Sequence, residues 1–122
     1  MSLHNKKLGQ EGENLAADYL GRLRYRVLER NFRCKGGEVD IVARDGKTLV
    51  FIEVKTRNNA AYGPPQLAVT PFKQHQISKA ALTWLAKKQQ LDAPARFDVI
   101  AITLNGQSPS IEHIINAFEL AY

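Results

Sequence analysis

Gly37-Glu38-Val39-Asp40-Ile41-Val42-Ala43-Arg44-Asp45-Gly46-Lys47-Thr48-Leu49-Val50-Phe51-Ile52-Glu53-Val54-Lys55 is the stretch on which the fold turns. Asp45-Gly46 is a strong two-residue hairpin signal, because the central positions of such a turn favour φ > 0. It predicts strands at 38–44 and 48–56 as antiparallel neighbours. Side chains two apart on a strand share a face. Glu38 and Asp40 are therefore expected to project together, as are Glu53 and Lys55 on the partner strand. Both strands are otherwise apolar: Val39, Ile41, Val42 and Ala43 on one, Leu49, Val50, Phe51, Ile52 and Val54 on the other. Carboxylates and an ammonium inside such strands are costly unless they are paired or bind a cation.

Outward from the hairpin, Leu15, Ala16, Tyr19, Leu20 and Leu23 recur at helical spacing and predict an amphipathic helix over 8–23. Residues 25–33 mix Tyr, Val, Leu and Phe with Arg and Glu as a strand, and Gly36-Gly37 is the turn after it. After the hairpin, 58–69 contains Gly63-Pro64-Pro65 and little periodicity, and is expected as a surface loop. Thr70-Pro71 then opens a second helix, with Thr70 as its cap and Pro71 at the first helical position. Ile77, Ala81, Trp84, Leu85 and Lys88 continue it at helical spacing. Residues 97–103 are apolar almost throughout, as in a strand covered on both faces, and Asn105-Gly106 turns the chain toward an edge strand at 110–115. The order is helix, three strands, helix, strand and a short final strand. That is an α/β fold with an αβββαβ core, helices flanking a mixed sheet.

The 122 residues, 44% hydrophobic and 24% charged, suit one compact domain over 1–122. Seventeen Lys and Arg against twelve Asp and Glu give a net charge of +5, which favours a polyanionic partner such as nucleic acid. The lone Cys34 makes no intramolecular disulfide, no Cys/His cluster has zinc spacing, and no apolar run approaches a membrane span or signal peptide. A cytoplasmic protein without a membrane partner is the expectation.

The hairpin's carboxylates suit a hard divalent cation. Mg²⁺ takes oxygen ligands and binds through one or two carboxylates plus substrate phosphate, which Asp40 and Glu53 can supply. Lys55 would then orient or deprotonate the attacking water, and the reaction expected is hydrolysis of a phosphodiester. The bland alternative is a solvated Glu53-x-Lys55 face, with Asp40 paired to Arg44 or an amide.

These blocks, Gly37 to Ala43 and Val50 to Arg57, resemble the PD-(D/E)XK nuclease signature in the form carried by the YraN family. The likeness continues through Gly9, Gly12-Glu13, Ala16, Asn31, Arg33, Tyr62-Gly63, Lys73 and Arg96-Phe97-Asp98-Val99, and so covers nearly the whole chain. It implies the fold of restriction endonucleases and Holliday junction resolvases. It also implies a Mg²⁺- or Mn²⁺-dependent endonuclease acting on DNA, including branched or junction DNA. Position by position it implies Asp40 and Glu53 as metal ligands, the carbonyl of Val54 as a third, and Lys55 as catalytic base or positioner. The chain departs from the family in having Arg24 where a glycine is frequent, and Glu38-Val39 where the signature has its proline. Resolvase-like relatives work as dimers, so a homodimer is a further expectation.

Several residues carry two readings. Glu13 lies one turn before Ala16 and Ala17; by resemblance it is a fourth catalytic residue, while the plain alternative is a Glu paired with an arginine. Glu38 can hold a water near the metal or pair with Arg57 or a turn amide. Lys73 and Gln76 can contact the scissile phosphate or form an ordinary helix face. Arg33, Lys35, Arg44 and Arg57 flank the hairpin and can track a nucleic-acid backbone, or simply confer solubility. His4, His75 and His113 lack metal or triad spacing. Asp98 can anchor a loop or pair with Arg96. Against the nuclease stand a non-catalytic nucleic-acid-binding module and a protein-interaction scaffold.

Overall fold

The computed structural model of the protein describes residues 3–59, 63–64, 68–105 and 108–121, with side chains from Lys7 onward. Its elements are α1 (Leu3–Arg22), β1 (Arg26–Cys34), β2 (Gly37–Asp45), β3 (Thr48–Arg57), α2 (Pro71–Lys87), β4 (Ala95–Thr103) and β5 (Ser110–Phe118). The strands form one five-stranded sheet in the order β1-β2-β3-β4-β5. Only β3 and β4 run parallel, with α2 as the crossover a parallel pair needs. The expected α/β architecture, a mixed sheet flanked by two helices, is the observed one.

Each helix buries its stripe on its own face of the sheet. Ala16 and Leu20 of α1 pack with Ile41, Ala43, Val50, Ile52, Ile100 and Ile102. On the opposite face, Ile77, Ala80, Ala81, Trp84 and Leu85 of α2 pack with Val42, Leu49, Phe51, Phe97 and Val99. The apolar run of β4 is thus explained, since alternate residues enter different cores. Each fully buried large side chain contributes about 1.5–3 kcal/mol, so the sheet's centre is the stable part of the molecule. The polar residues of β3 lie just past that centre.

Local chemistry sets the ends of the elements. α1 begins at Leu3, five residues before the predicted start at position 8, because nothing between Leu3 and Leu8 opposes a helix. Leu23, expected on the buried stripe, is 47% exposed because the helix has already ended. The exit is a Schellman motif: Tyr25 N–H donates to Leu20 O, Arg24 N–H donates to Gly21 O, and Arg24 has φ 68°. A left-handed non-glycine residue costs about 1–2 kcal/mol. Arg24→Gly is therefore expected to raise stability by about 1 kcal/mol, read as a shift of the urea midpoint at constant m-value. A loss of stability would mean that the arginine side chain contributes more than the backbone strain costs.

The hairpin turn differs in detail. Asp45 pairs with Thr48, so the two turn residues are Gly46 and Lys47, and only Gly46 has positive φ, at 61°. That is the type II′ pattern rather than two left-handed residues. Likewise the first turn is Lys35-Gly36, because Cys34 pairs with Gly37. Gly37 is needed for close packing: a Cβ there would lie 2.5 Å from Gln76 O and 2.9 Å from Ala80 N. The β1–β2 turn is thus pressed onto α2. At the other end β5 runs to Phe118, beyond the predicted 115, because a register shift between Phe97 and Val99 lets pairing resume.

Of the loop expected at 58–69, residues 60–62 and 65–67 lie outside the described residues, as does Gly106 of the predicted turn before β5. The Thr70 cap is as expected: its Oγ1 accepts the Lys73 N–H at 3.2 Å, with Pro71 at the helix start. Among the described residues no helix is long and apolar enough to cross a membrane.

Candidate active site

Asp40 marks a break in the regular pleat. Val39 packs in the α2-side core, yet Ile41 packs in the α1-side core, so strict alternation fails across Asp40. On β1, Asn31 adopts φ 55° at the same level. Regular pairing with β3 runs only from Ile41, opposite Ile52, to the turn. Beyond it the Asp40 carboxylate replaces a ladder bond, with Oδ2 accepting the Val54 N–H at 2.8 Å. The irregularity thus brings an aspartate onto the β3 backbone. Val54, expected through its carbonyl, meets Asp40 through its N–H.

Glu53 is 6% exposed and interacts directly with Asp40. Burial, then the Glu53 charge, pushes the Asp40 carboxyl up from 3.8 to about 7, against the Val54 N–H bond that lowers it. Lys73 arrives from the first turn of α2, its Nζ 3.3 Å from Glu53 Oε2 and 3.9 Å from Glu38 Oε1. Burial disfavours the Lys73 ammonium, but Glu53, Glu38 and Asp40 outweigh that and raise its pKa. Lys73 is therefore a fixed cation facing three carboxylates. The sequence pattern marks it only as a phosphate contact or helix face, because a helix-to-sheet ion pair depends on docking that no local pattern encodes.

Glu38 shares this cluster, since it also pairs with Arg33, Nε to Oε2 3.4 Å. Its partners are Arg33 and Lys73 rather than Arg57 or a turn amide. Lys55 is two positions beyond Glu53, is exposed, and makes no ion pair among the described residues. With Val54, Thr56 and Arg57 it lines a cleft of about 490 Å³, bounded by Leu8 and Gly9 of α1. The helix lies close there, since a Cβ on Gly12 would lie 1.8 Å from Thr56 Oγ1.

The remaining candidates are placed variously. Glu13 accepts from Asn31 Nδ2 at 2.9 Å and Arg30 Nε at 3.2 Å, so it braces α1 against the irregular part of β1. Arg57 is held by Thr103 Oγ1 and Gly63 O at the end of β3. Arg44 donates to Gln90 at the far end of the hairpin, away from the carboxylates. Arg33 and Lys35 lie at the β1–β2 turn, and Gln76 of α2 lines the same groove as Arg33.

The residues present suit a divalent cation in kind. Asp40 and Glu53 are hard oxygen donors, and the Asp40 pKa is raised by burial first and by the Glu53 charge second, both of which a bound cation offsets. Among the described residues no group of three or more His, Cys, Asp or Glu is placed to hold a metal ion, so the donor set is small, as in Mg²⁺ sites that rely on water and phosphate. The raised pKa also makes a pH test available. Because the folded pKa of Asp40 is raised, its contribution to stability is present below the ordinary 3.8 and fades as pH rises through about 7. Mg²⁺ is therefore expected to raise the melting temperature more above pH 7 than below it, and to do so far less in Glu53→Ala. An equal gain in both proteins would place the cation elsewhere.

Residues 12–102 match the Uncharacterised protein family UPF0102. The chain belongs to the UPF0102 family. A UPF0102 protein of Geobacter metallireducens is 76% identical over 122 residues, all of both chains. One of Geobacter sulfurreducens is 75% identical, covering 99% of this chain and 95% of its own. The likeness extends to Rhodococcus opacus, whose UPF0102 protein is 46% identical over 94% of this chain and 98% of its own. The UPF0102 match begins at Gly12, where α1 meets β3, and ends at Ile102 of β4. It thus contains Asp40, Glu53, Lys55 and Lys73.

Proposed function

We propose that this UPF0102 protein is a nuclease of the YraN type, a metal-dependent endonuclease that hydrolyses phosphodiester bonds in DNA, branched or junction DNA included. The observation that carries the reading is the Asp40–Glu53 pair, a raised-pKa aspartate against a 6% exposed glutamate, with Lys55 exposed two residues further along β3. Its basic balance of +5 suits a polyanionic substrate, and its lone cysteine suits the cytoplasm.

Asp40 and Glu53 would hold Mg²⁺ or Mn²⁺, which when bound acidifies water and neutralises charge on the phosphate. The Val54 N–H fixes one Asp40 oxygen and so aims the other. Lys73 restrains Glu53 and adds positive charge for a phosphate oxygen. Lys55 Nζ, exposed at the cleft, positions the attacking water, whose proton passes to solvent. The water oxygen forms the new P–O bond as the bond to the leaving deoxyribose oxygen breaks, and a solvent proton completes that hydroxyl.

A second reading has specific support. Val54 N–H already serves Asp40 and Lys73 already serves Glu53, so the carboxylates are satisfied by the protein alone, as in a non-catalytic nucleic-acid-binding module. A labelled panel of single-stranded, duplex, flap and four-way-junction DNA, with Mg²⁺ or Mn²⁺ and Glu53→Ala as control, separates them. Cleavage lost in the variant supports the nuclease and names its substrate. Structure-selective binding without cutting supports the module. Light scattering on the same samples tests the homodimer, which a monomer mass would sink.

A further inference from the structure

Beside the carboxylates, α2 carries a side chain that neither its core nor the chemistry uses. Phe72 is 70% exposed, although a phenylalanine usually repays burial. Its chain neighbour Lys73 reaches Glu53, so Phe72 sits one residue along α2 from the helix's contact with the candidate site. Phe72, His75 and Lys79 are all exposed and fall at i, i+3 and i+7, one stripe along the helix. That stripe leads to the β1–β2 turn: a Cβ on Gly36 would lie 3.0 Å from Lys79 Nζ. Arg33, with 76% side-chain exposure, and Lys35 lie at the same turn. Between turn and helix runs an open groove of about 470 Å³, whose one acid, Glu38, is paired with Arg33 and Lys73.

Flat rings interleaved with cations are what an unpaired strand requires. Bases stack on an aromatic face while ammonium and guanidinium groups track the phosphates. A duplex buries its base faces and offers an exposed ring nothing to stack on. We infer that the Phe72–His75–Lys79 stripe of α2 binds unpaired nucleotides of DNA, with Phe72 as the stacking platform that delivers the adjoining strand to the Asp40–Glu53 site. This deepens the nuclease reading by naming single-stranded segments as the substrate feature recognised. The binding surface itself needs no cleavage to be real.

The test is fluorescence anisotropy on the full chain in EDTA, with a labelled oligo-dT strand and a labelled duplex of equal length. Phe72→Ala is expected to weaken oligo-dT binding about 5- to 100-fold, the range of one lost base stack, and to leave duplex binding unchanged. Phe72→Trp is expected to restore oligo-dT affinity, with quenching of the added indole on binding. Equal losses on both probes, no loss on either, or a wild-type chain that binds only duplex would overturn the inference. Mg²⁺-dependent cleavage by wild type against Glu53→Ala is measured separately. A selective Phe72 effect without cleavage leaves the stripe and removes the nuclease, whereas cleavage with Phe72→Ala unaffected in binding does the reverse.

Discussion

Lys55→Ala is expected to lower metal-dependent cleavage by about 10²–10⁴-fold, the usual worth of a positioned acid–base group, while leaving the melting temperature and DNA affinity nearly unchanged. The separation comes from where the side chain sits. Lys55 is exposed at the cleft and has no ion-pair partner among the described residues, so its removal orphans nothing. Glu53→Ala is the harsher variant, because it leaves the partly buried Lys73 without its 3.3 Å partner and so disturbs the fold as well as the chemistry. Single-turnover cleavage alongside a thermal melt distinguishes the two. If Lys55→Ala cuts as fast as wild type, the lysine is part of a solvated strand face and the proposed role is wrong.

The candidate site was legible because its residues are chemically out of place. Asp40 and Glu53 interrupt strands that are otherwise apolar, and a gradient of burial along β3 leaves Lys55 accessible while Phe51 is sealed. Helix, strand and cap signals likewise act within a few residues, which is why Thr70, Pro71 and the β2–β3 hairpin were readable. What was hidden depends on docking between distant segments. The Lys73–Glu53 ion pair needs α2 seated on β3, and Gly37 shows how tightly its neighbour turn is held against that helix. The irregularity at Asp40 was also hidden, since the left-handed conformation of Asn31 beside it is not announced by an asparagine in a strand. Strict alternation would have put Val39 and Ile41 in one core, whereas they enter two.

The same limit applies to Asp98, which supplies the largest expected stability effect. Its neighbours Phe97 and Val99 enter the α2-side core, so Asp98 points to the α1 side, away from the candidate site. It is fully buried and fully engaged. Arg96 Nε lies 3.0 Å from Oδ1, His113 Nε2 lies 2.8 Å from Oδ2, and the Asn116 N–H donates to Oδ1 at 2.9 Å. The last contact explains the left-handed Asn116, φ 56°, and the register shift that a sequence pattern cannot announce. His113 continues to the Tyr19 hydroxyl at 3.1 Å, and Arg96 to Asp45 and to the Tyr25 hydroxyl, so one carboxylate ties β4 to β5 and, through them, to α1 and the hairpin.

Removing one member of such a buried network costs about 3–5 kcal/mol, a large fraction of the 5–15 kcal/mol that about spans domain stabilities. Asp98→Ala is expected to lose that much in urea unfolding, and Asp98→Asn, which keeps the shape and one acceptor, less. Burial pushes the Asp98 pKa up, but His113, Arg96 and the Asn116 N–H outweigh it and hold it below the ordinary 3.8. A depressed folded pKa means that this stability is present above the unfolded value and lost as pH falls through the folded one. The wild type should therefore lose its advantage over Asp98→Asn only in acid below pH 3.8, with the two unfolding curves converging there. Curves that stay parallel into acid would show that the charge on Asp98 contributes nothing and that packing alone secures β4 to β5.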